Sequence, residues 1–270
     1  MTIQETLSLY SDAESDLLLS FVLKKSRDFL YIHPEKKLTT KQLKAFKSLV
    51  ARRKKGEPVA YLLRYKDFFG LKFKVTKDTL VPRPETEWVV DHILNQKLSN
   101  NTSILDLGTG SGCIAISIKK NTPKLSVTAS DVSKKALLVA KQNARSHKTK
   151  INFVHSNLLS NLSNKHFDII IANLPYGWNV WKNNSSIEAK SLKFEPQLAL
   201  FTKENGLYLY RLLLQQVSKL KKQPSVIYLE FDPRQKTKLA KLIKTILPKA
   251  KTIFHKDLAG LWRYVEIKRG

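Results

Sequence analysis

The 270-residue chain contains a single cysteine, Cys113, so no internal disulfide can form and the stapled framework of a small secreted domain is excluded. Its six histidines (His33, His92, His147, His155, His166 and His255) show none of the short ligand spacings of zinc sites, and a metal-free protein is expected. No apolar run approaches the roughly 18 residues that a membrane span requires. The one short run, Leu17 to Leu23, follows acidic residues rather than a basic leader, so neither a membrane nor a secreted protein is expected. Internal repeats and low-complexity tracts are lacking too, which sets aside collagen-like and disordered classes. Negative charge is scarce: 22 Asp and Glu face 48 Lys and Arg, for a formal charge of +26.

What is there suits a globular, cytoplasmic protein of one large or two unequal domains, with 42% apolar residues, 9% aromatics and a mean hydropathy of -0.29. A field of +26 attracts polyanions, and RNA is the polyanion a cytoplasmic protein meets first. The lysines are nevertheless dispersed and few aromatics accompany them to stack bases, so the expectation is weak, non-specific affinity for RNA or ribosomes. The densest clusters are Arg52 to Lys55, then Lys219, Lys221 and Lys222, then Lys236, Lys238, Lys241 and Lys244. The last alternates with Leu239, Leu242, Ile243 and Ile246 as the solvated face of an amphipathic helix does.

The first quarter reads as helical. Ser11 is placed to cap a segment carrying Leu17, Leu18, Phe21, Val22 and Leu30, and Thr39 with Gln42 forms a capping box ahead of Leu43, Phe46 and Val50. Between Val59 and Val81 aromatic and β-branched residues around Gly70 suggest a connecting hairpin. From residue 103, short apolar runs alternate with helix-length segments: Ser103 to Leu107, Leu125 to Ala129, Ile151 to Val154, Phe167 to Ala172 and Val226 to Phe231. That alternation predicts an α/β fold, a doubly wound parallel sheet with helices on both faces. No crossover helix separates Phe254 from the last run, Trp262 to Ile267, which is therefore expected to enter antiparallel. The boundaries read as a helical domain with its hairpin linker over 1–78 and an α/β domain over 79–270.

Two motifs carry chemistry. The first is Asp106-Leu107-Gly108-Thr109-Gly110-Ser111-Gly112, between an apolar strand and a helix beginning near Cys113. Glycines there permit a tight turn and a close backbone approach to a ligand. Asp131 ends the next strand, 23 residues beyond Gly108, near the spacing at which a carboxylate takes both ribose hydroxyls of a nucleoside. The glycines depart from the dinucleotide pattern, which favours S-adenosylmethionine. The second motif, Asn173-Leu174-Pro175-Tyr176, directly follows the buried run Phe167 to Ala172, at the sheet edge where open α/β folds place their active sites. An amide or exocyclic amine is a poor nucleophile because its lone pair is delocalised. The Asn173 side-chain oxygen and the Leu174 carbonyl can hold both of its N–H groups and aim the nitrogen at a sulfonium methyl, with Tyr176 walling the planar group.

At these residues the sequence resembles the class I S-adenosylmethionine-dependent amino-methyltransferases. Four further segments narrow the resemblance to the protein-(glutamine-N5) methyltransferases of peptide chain release factors: Gly56 to Tyr61, Val81 to Glu87, Glu195 to Leu200 with Gly206-Leu207, and Asp257 to Gly260. The resemblance covers nearly the whole chain. It implies a Rossmann-like domain behind a small N-terminal helical domain that docks the protein substrate, with S-adenosylhomocysteine as product, no metal, and a monomer. It further implies that Gly108, Thr109, Gly110, Ser111 and Gly112 line the methionine and ribose part of the cofactor, that Asp131 holds the ribose, that Asn157 and Leu158 border the adenine, and that Asn173, Leu174, Pro175 and Tyr176 receive the glutamine amide. Two positions depart from the family pattern. Leu174 stands where the family has a first proline, and Asn157-Leu158 where it has an acid followed by an aromatic.

Three other functions fit parts of the sequence. A glutamine methyltransferase of a large-subunit ribosomal protein would share the same site. Asn-Leu-Pro-Tyr also resembles the motif of ribosomal RNA adenine-N6 methylases, against which stand the four segments and the N-terminal accessory domain. A non-catalytic RNA- or ribosome-binding descendant would have no need of the intact Gly108 loop, Asp131 and Asn173.

Overall fold

The computed structural model describes residues 1–12, 14–178, 181 and 190–269. They fall into two compact units, one of Met1–Arg64 with the described part of Ser185–Phe194, the other holding the remainder of the chain. No helix among the described residues is long and apolar enough to cross a membrane.

The first unit is helical: Ile3–Leu9, Ser15–Leu23, Arg27–Ile32, Thr40–Lys54 and Val59–Leu63. Leu18, Leu19, Leu30, Phe46 and Val50 are buried in it. The capping box at Thr39 forms, its hydroxyl accepting from Gln42 N (3.2 Å) while Gln42 Oε1 accepts from Thr39 N (2.9 Å). Ser11 is not a cap: the helix starts at Ser15 behind Glu14, which makes no capping bond. Val59–Leu63, read from sequence as the start of the hairpin, is a helical turn entered from Pro58, whose φ of -56° is already near the helical value.

The hairpin proper is β1 (Tyr65–Phe68) and β2 (Leu71–Lys74), joined by Phe69 and Gly70 with φ of 49° and 70°, the two positive values of a type I′ turn. It belongs to the second unit and not, as the sequence boundary at residue 78 has it, with the helices. The reason is Asn143, which is buried on the helix Lys134–Ser146. Its side chain accepts from Lys74 N (2.8 Å) and donates to Lys74 O (3.0 Å) and Ser111 O (2.8 Å), tying the hairpin to the glycine loop.

The main sheet has seven strands: β3 (Ser103–Leu107), β4 (Ser126–Asp131), β5 (Asn152–His155), β6 (Ile169–Ala172), β7 (Val226–Glu230), β8 (Lys251–Lys256) and β9 (Trp262–Lys268). Their spatial order is β5-β4-β3-β6-β7-β9-β8. The first five are parallel, and β9 enters antiparallel between β7 and β8. Every residue of β6 and β7 is buried, which is why both read as unbroken apolar runs. From β3 the chain winds outward through β4 to β5, then returns to β6 on the other side. That reversal opens a crevice outside the carboxyl ends of β3 and β6.

Candidate active site

Strand β3 delivers the chain into the crevice at Gly108, and the next five residues form a bed beneath it. Asp106 is buried, its Oδ2 accepting from Thr109 Oγ1 (2.6 Å) and Ala115 N (3.2 Å), which closes the loop onto the helix Cys113–Asn121. Burial pushes the Asp106 carboxyl up to about 6. Its Oδ1 is buried with no hydrogen-bond partner among the described residues. Gly112, at φ 83°, caps that helix, and an added Cβ would stand 2.9 Å from Ile116 Cδ1.

Above this bed lies a cavity of about 310 Å³ lined by Gly108, Gly110, Asp131, Asn157, Leu158, Asn173, Leu174 and Pro175, and also by Asp78 to Leu80, Pro196, Leu198 and Ala199. Gly110 has open space where a Cβ would stand, at φ 56°. Asp131 ends β4 and is fixed by two backbone donors, Gly110 N (2.9 Å) and Ser133 N (2.8 Å), while burial raises its pKa. Each oxygen takes one of these donors and retains a further lone pair, and the residue lines the cavity. Eight of the sequence-predicted residues therefore converge on one cavity. Thr109, Ser111 and Gly112 are not among the lining residues; Thr109 bonds Asp106, the Ser111 carbonyl accepts from Asn143 and Gly112 caps the following helix, so all three shape the loop.

A smaller cavity, about 80 Å³, adjoins the first and shares Leu80, Asn173, Leu174 and Ala199 with it. Tyr176, Arg83, Glu85, Trp181 and Arg263 complete its walls. Asn173 and Leu174 thus face both spaces, together with Leu80 and Ala199. The Asn173 amide is oriented: Nδ2 donates to Thr86 Oγ1 (3.2 Å), and Thr86 Oγ1 donates in turn to Glu230 Oε2 (2.7 Å). An amide committed as donor on one side presents its Oδ1 acceptor on the other. The Leu174 carbonyl lies 3.2 Å from Tyr210 Oη, whose single hydrogen it shares with the closer Glu230 carbonyl, and keeps a lone pair free.

The hub of this arrangement, Glu230, was not singled out from the sequence. It ends β7 fully buried, and accepts from Thr86, from Tyr176 Oη (2.8 Å) and from Tyr264 Oη. Burial raises its pKa, and the same burial, together with the negative charge of Glu230, raises those of Tyr176 and Tyr264 well above the phenolic value. These phenols stay protonated and donate to the Glu230 carboxylate. One acid at the end of an otherwise apolar run was the available signal, since a buried carboxylate needs several partners to be tolerated.

The sequence segments of the family resemblance gain physical roles here. Glu195 accepts from Val81 N (2.9 Å) and Arg83 Nη2 (2.6 Å), clamping the Val81 to Glu87 stretch that carries Thr86. Gly206 passes so close under Tyr176 that a Cβ would lie 2.0 Å from its carbonyl oxygen, and Gln235 Nε2 donates to that oxygen (2.9 Å). Asp257 accepts from Arg263 Nε (3.1 Å), holding that guanidinium at the smaller cavity.

Sheet order, glycine loop, terminal acid on β4 and an amide-orienting motif after β6 together define a class I methyltransferase, and a methyltransferase from Pyrococcus furiosus shares the fold at a TM-score of 0.53 and 20% identity, over 81% of this chain and 95% of that one. Residues 86–189 match the family model described as methyltransferase small domain, and residues 8–63 the one described as PrmC N-terminal domain. The release factor glutamine methyltransferase of Streptococcus pneumoniae is 34% identical over 97% of this chain and 98% of its own length. That of Flavobacterium psychrophilum is 35% identical over 98% and 95%. The chain belongs to the release factor glutamine methyltransferase family.

The larger cavity fits S-adenosylmethionine on its own features: the half-buried Asp131 carboxylate for ribose hydroxyls, glycines that leave room for the ligand, and an orphaned acid oxygen on Asp106 under the loop. Its volume lies at the lower end of the range for small-molecule sites.

Proposed function

We propose that this enzyme methylates the side-chain amide nitrogen of a glutamine in a peptide chain release factor, with S-adenosylmethionine as donor. The observation that carries the reading is a shared wall: Asn173 and Leu174 face both a nucleoside-sized cavity and a small polar one, with Asn173 Oδ1 left free by the Thr86 bond. The bound cofactor supplies an electrophilic methyl on a sulfonium, which leaves as the neutral thioether of S-adenosylhomocysteine.

Asn173 Oδ1 and the Leu174 carbonyl accept the two N–H groups of the substrate amide. This draws electron density onto nitrogen and aligns it, an orienting contribution that proximity makes large. Tyr176 walls the planar group from a rigid position set by Glu230 and Gln235. Asp131 takes the ribose hydroxyls, and Asn157 and Leu158 border the adenine. The proton lost from nitrogen passes to solvent, directly or by way of the Glu85 carboxylate that lines the smaller cavity, since Glu230 is already committed to three donors. Leu174 keeps the carbonyl that the family's proline would offer, and its side chain packs over Gly108, Cδ2 lying 3.0 Å from where a Cβ there would stand.

The acceptors read only an amide, so choice among glutamines has to come from a remote surface, and the helical unit Met1–Arg64 is assigned that docking role. Incubation of the enzyme with a purified release factor and labelled S-adenosylmethionine, followed by peptide mass spectrometry, tests the reading. A mass gain of one methyl on a single glutamine is expected, lost with Asn173→Ala. Label on ribosomal RNA adenine, or on a ribosomal protein alone, contradicts it.

A further inference from the structure

The active site lies at the carboxyl edge of the sheet. The opposite edge carries two open clefts that the methyl-transfer reading does not use. The strand register fixes which residues share this edge: Ile169 of β6 pairs with Val226 of β7, Val226 with Lys268 of β9, and Lys268 with Lys251 of β8. Residues just before 169, 226 and 251, and just after 268, therefore lie along one line across four adjacent strands.

The first cleft, about 630 Å³, is lined by Lys165, Lys219, Lys221 and Lys222, with His166 and Gln216. The second, about 490 Å³, shares Leu220 and Lys221 with the first and adds Lys249, Lys268 and Arg269. All seven of these cations are exposed. No carboxylate lines either cleft. Two acids touch residues of these clefts: Asp168 accepts from Ser103 and His166, and Glu266 accepts from Tyr228 and His255 and pairs with Lys268 (3.0 Å), leaving the other six cations without a carboxylate in either lining. Three adjacent-strand spacings make the row roughly 15 Å long, enough for about four phosphates of one nucleic-acid strand.

We infer that this basic edge holds the phosphate backbone of a structured RNA while the opposite edge stays open for methyl transfer. RNA is favoured over an anionic membrane because none of the exposed large hydrophobic side chains of the described residues lines either cleft, so nothing there would enter a bilayer. Duplex-like backbone is favoured over single-stranded bases because no Phe, Tyr or Trp lines either cleft among the described residues, and the one aromatic ring there, the His166 imidazole, is held by Asp168 (3.0 Å). The basic helix Lys236–Ile246 is a different surface. Its Lys236 lies over the Trp262 ring, 3.4 Å from the centroid, and its other lysines project from a solvated face.

The test compares two full-length variants that lose the same three charges: Lys219→Gln, Lys221→Gln and Lys222→Gln together at the cleft, and Lys238→Gln, Lys241→Gln and Lys244→Gln together on the helix. Binding to a short labelled RNA duplex of arbitrary sequence is titrated across salt concentrations, and to vesicles with and without anionic lipid, with thermal midpoints as a check on folding. The cleft variant, folded, should lose at least about tenfold in RNA affinity at low salt, with a log-log salt slope shallower by about two to three. The helix variant should stay within about twofold of the parent. Equal losses in both variants would make the affinity a diffuse effect of net charge and overturn the inference. An unchanged cleft variant overturns it too, as does cleft-dependent binding to anionic vesicles tighter than to RNA. If the Gln variant failed to fold, Lys→Arg substitutions at the same three positions, which keep the charge, would have to retain binding.

Discussion

At the residue scale Asn173 and Asp131 are placed to meet the reactants, and Asp106 holds the loop between them. Asn173→Ala should lower turnover by about 100-fold or more while leaving cofactor affinity nearly unchanged, since its oxygen acts on the nucleophile; single-turnover kinetics and a cofactor titration separate the two effects. Asp131→Ala should instead weaken the cofactor by roughly 1.5–3 kcal/mol, the range for hydrogen bonds to a charged group. An unchanged affinity in that titration would remove Asp131 from the site. Asp106 gives a pH signature. Its folded pKa of about 6 lies above the value of about 3.8 expected once unfolded, so the folded state holds the extra proton. The stability this confers is fully present below about pH 4 and is lost as the pH rises through 6, a change of roughly 3 kcal/mol. Asp106→Asn should remove that slope, so the variant gains on the parent between pH 4 and 7 in denaturant titrations. A constant difference across that range would show that Asp106 titrates normally. Gly108, Asp131 and Asn173 were legible in the sequence because each sits in a local strand-loop-helix pattern. Thr86, Glu230 and Tyr264 were not, because their contacts join residues 34 to 144 positions apart.

At the scale of elements, apolar periodicity found every parallel strand and the antiparallel entry of β9. Strand β8 was hidden because it is an edge strand with a mostly exposed, charged face and no apolar run to announce it. The helical turn Val59–Leu63 was hidden for the opposite reason: five apolar residues read equally as strand or helix, and Pro58 decides. Close approach is the least legible feature of all. Gly206, at φ 85°, lets the start of the helix Tyr208–Ser218 slide beneath Tyr176, and nothing nearby in the sequence announces that contact. Gly206→Ala should cost about 1–3 kcal/mol from overpacking, with a further penalty for the left-handed backbone, and should displace Tyr176. The expected result is a lower thermal midpoint together with weaker substrate binding in the protein that remains folded. A variant with parental stability and kinetics would contradict the geometry.

At the scale of the whole molecule, the division of labour is between a sheet unit that can perform methyl transfer and a helical unit assigned to substrate choice. Removing Met1–Arg64 should leave cofactor affinity intact, which also reports that the remainder is folded, while raising the release-factor concentration needed for half-maximal rate. A folded truncation that modifies release factor at the original efficiency would end the docking assignment. The boundary itself was misplaced by sequence reading, since β1 and β2 look like a linker until Asn143 is seen to bind both Lys74 and the glycine loop. The net charge of +26 said that a polyanion could bind but not where; only the fold gathers Lys165, Lys219, Lys221, Lys222, Lys249 and Lys268 onto one edge. The central claim, that Asn173 aims a glutamine amide at a sulfonium methyl, is tested most directly by mass spectrometry of a release factor treated with the enzyme and S-adenosylmethionine. The account predicts one methyl on the side-chain nitrogen of one glutamine, absent with Asn173→Ala under conditions where that variant still binds cofactor. Methylation at full rate by Asn173→Ala, or a methyl on any atom other than a side-chain amide nitrogen, would contradict it.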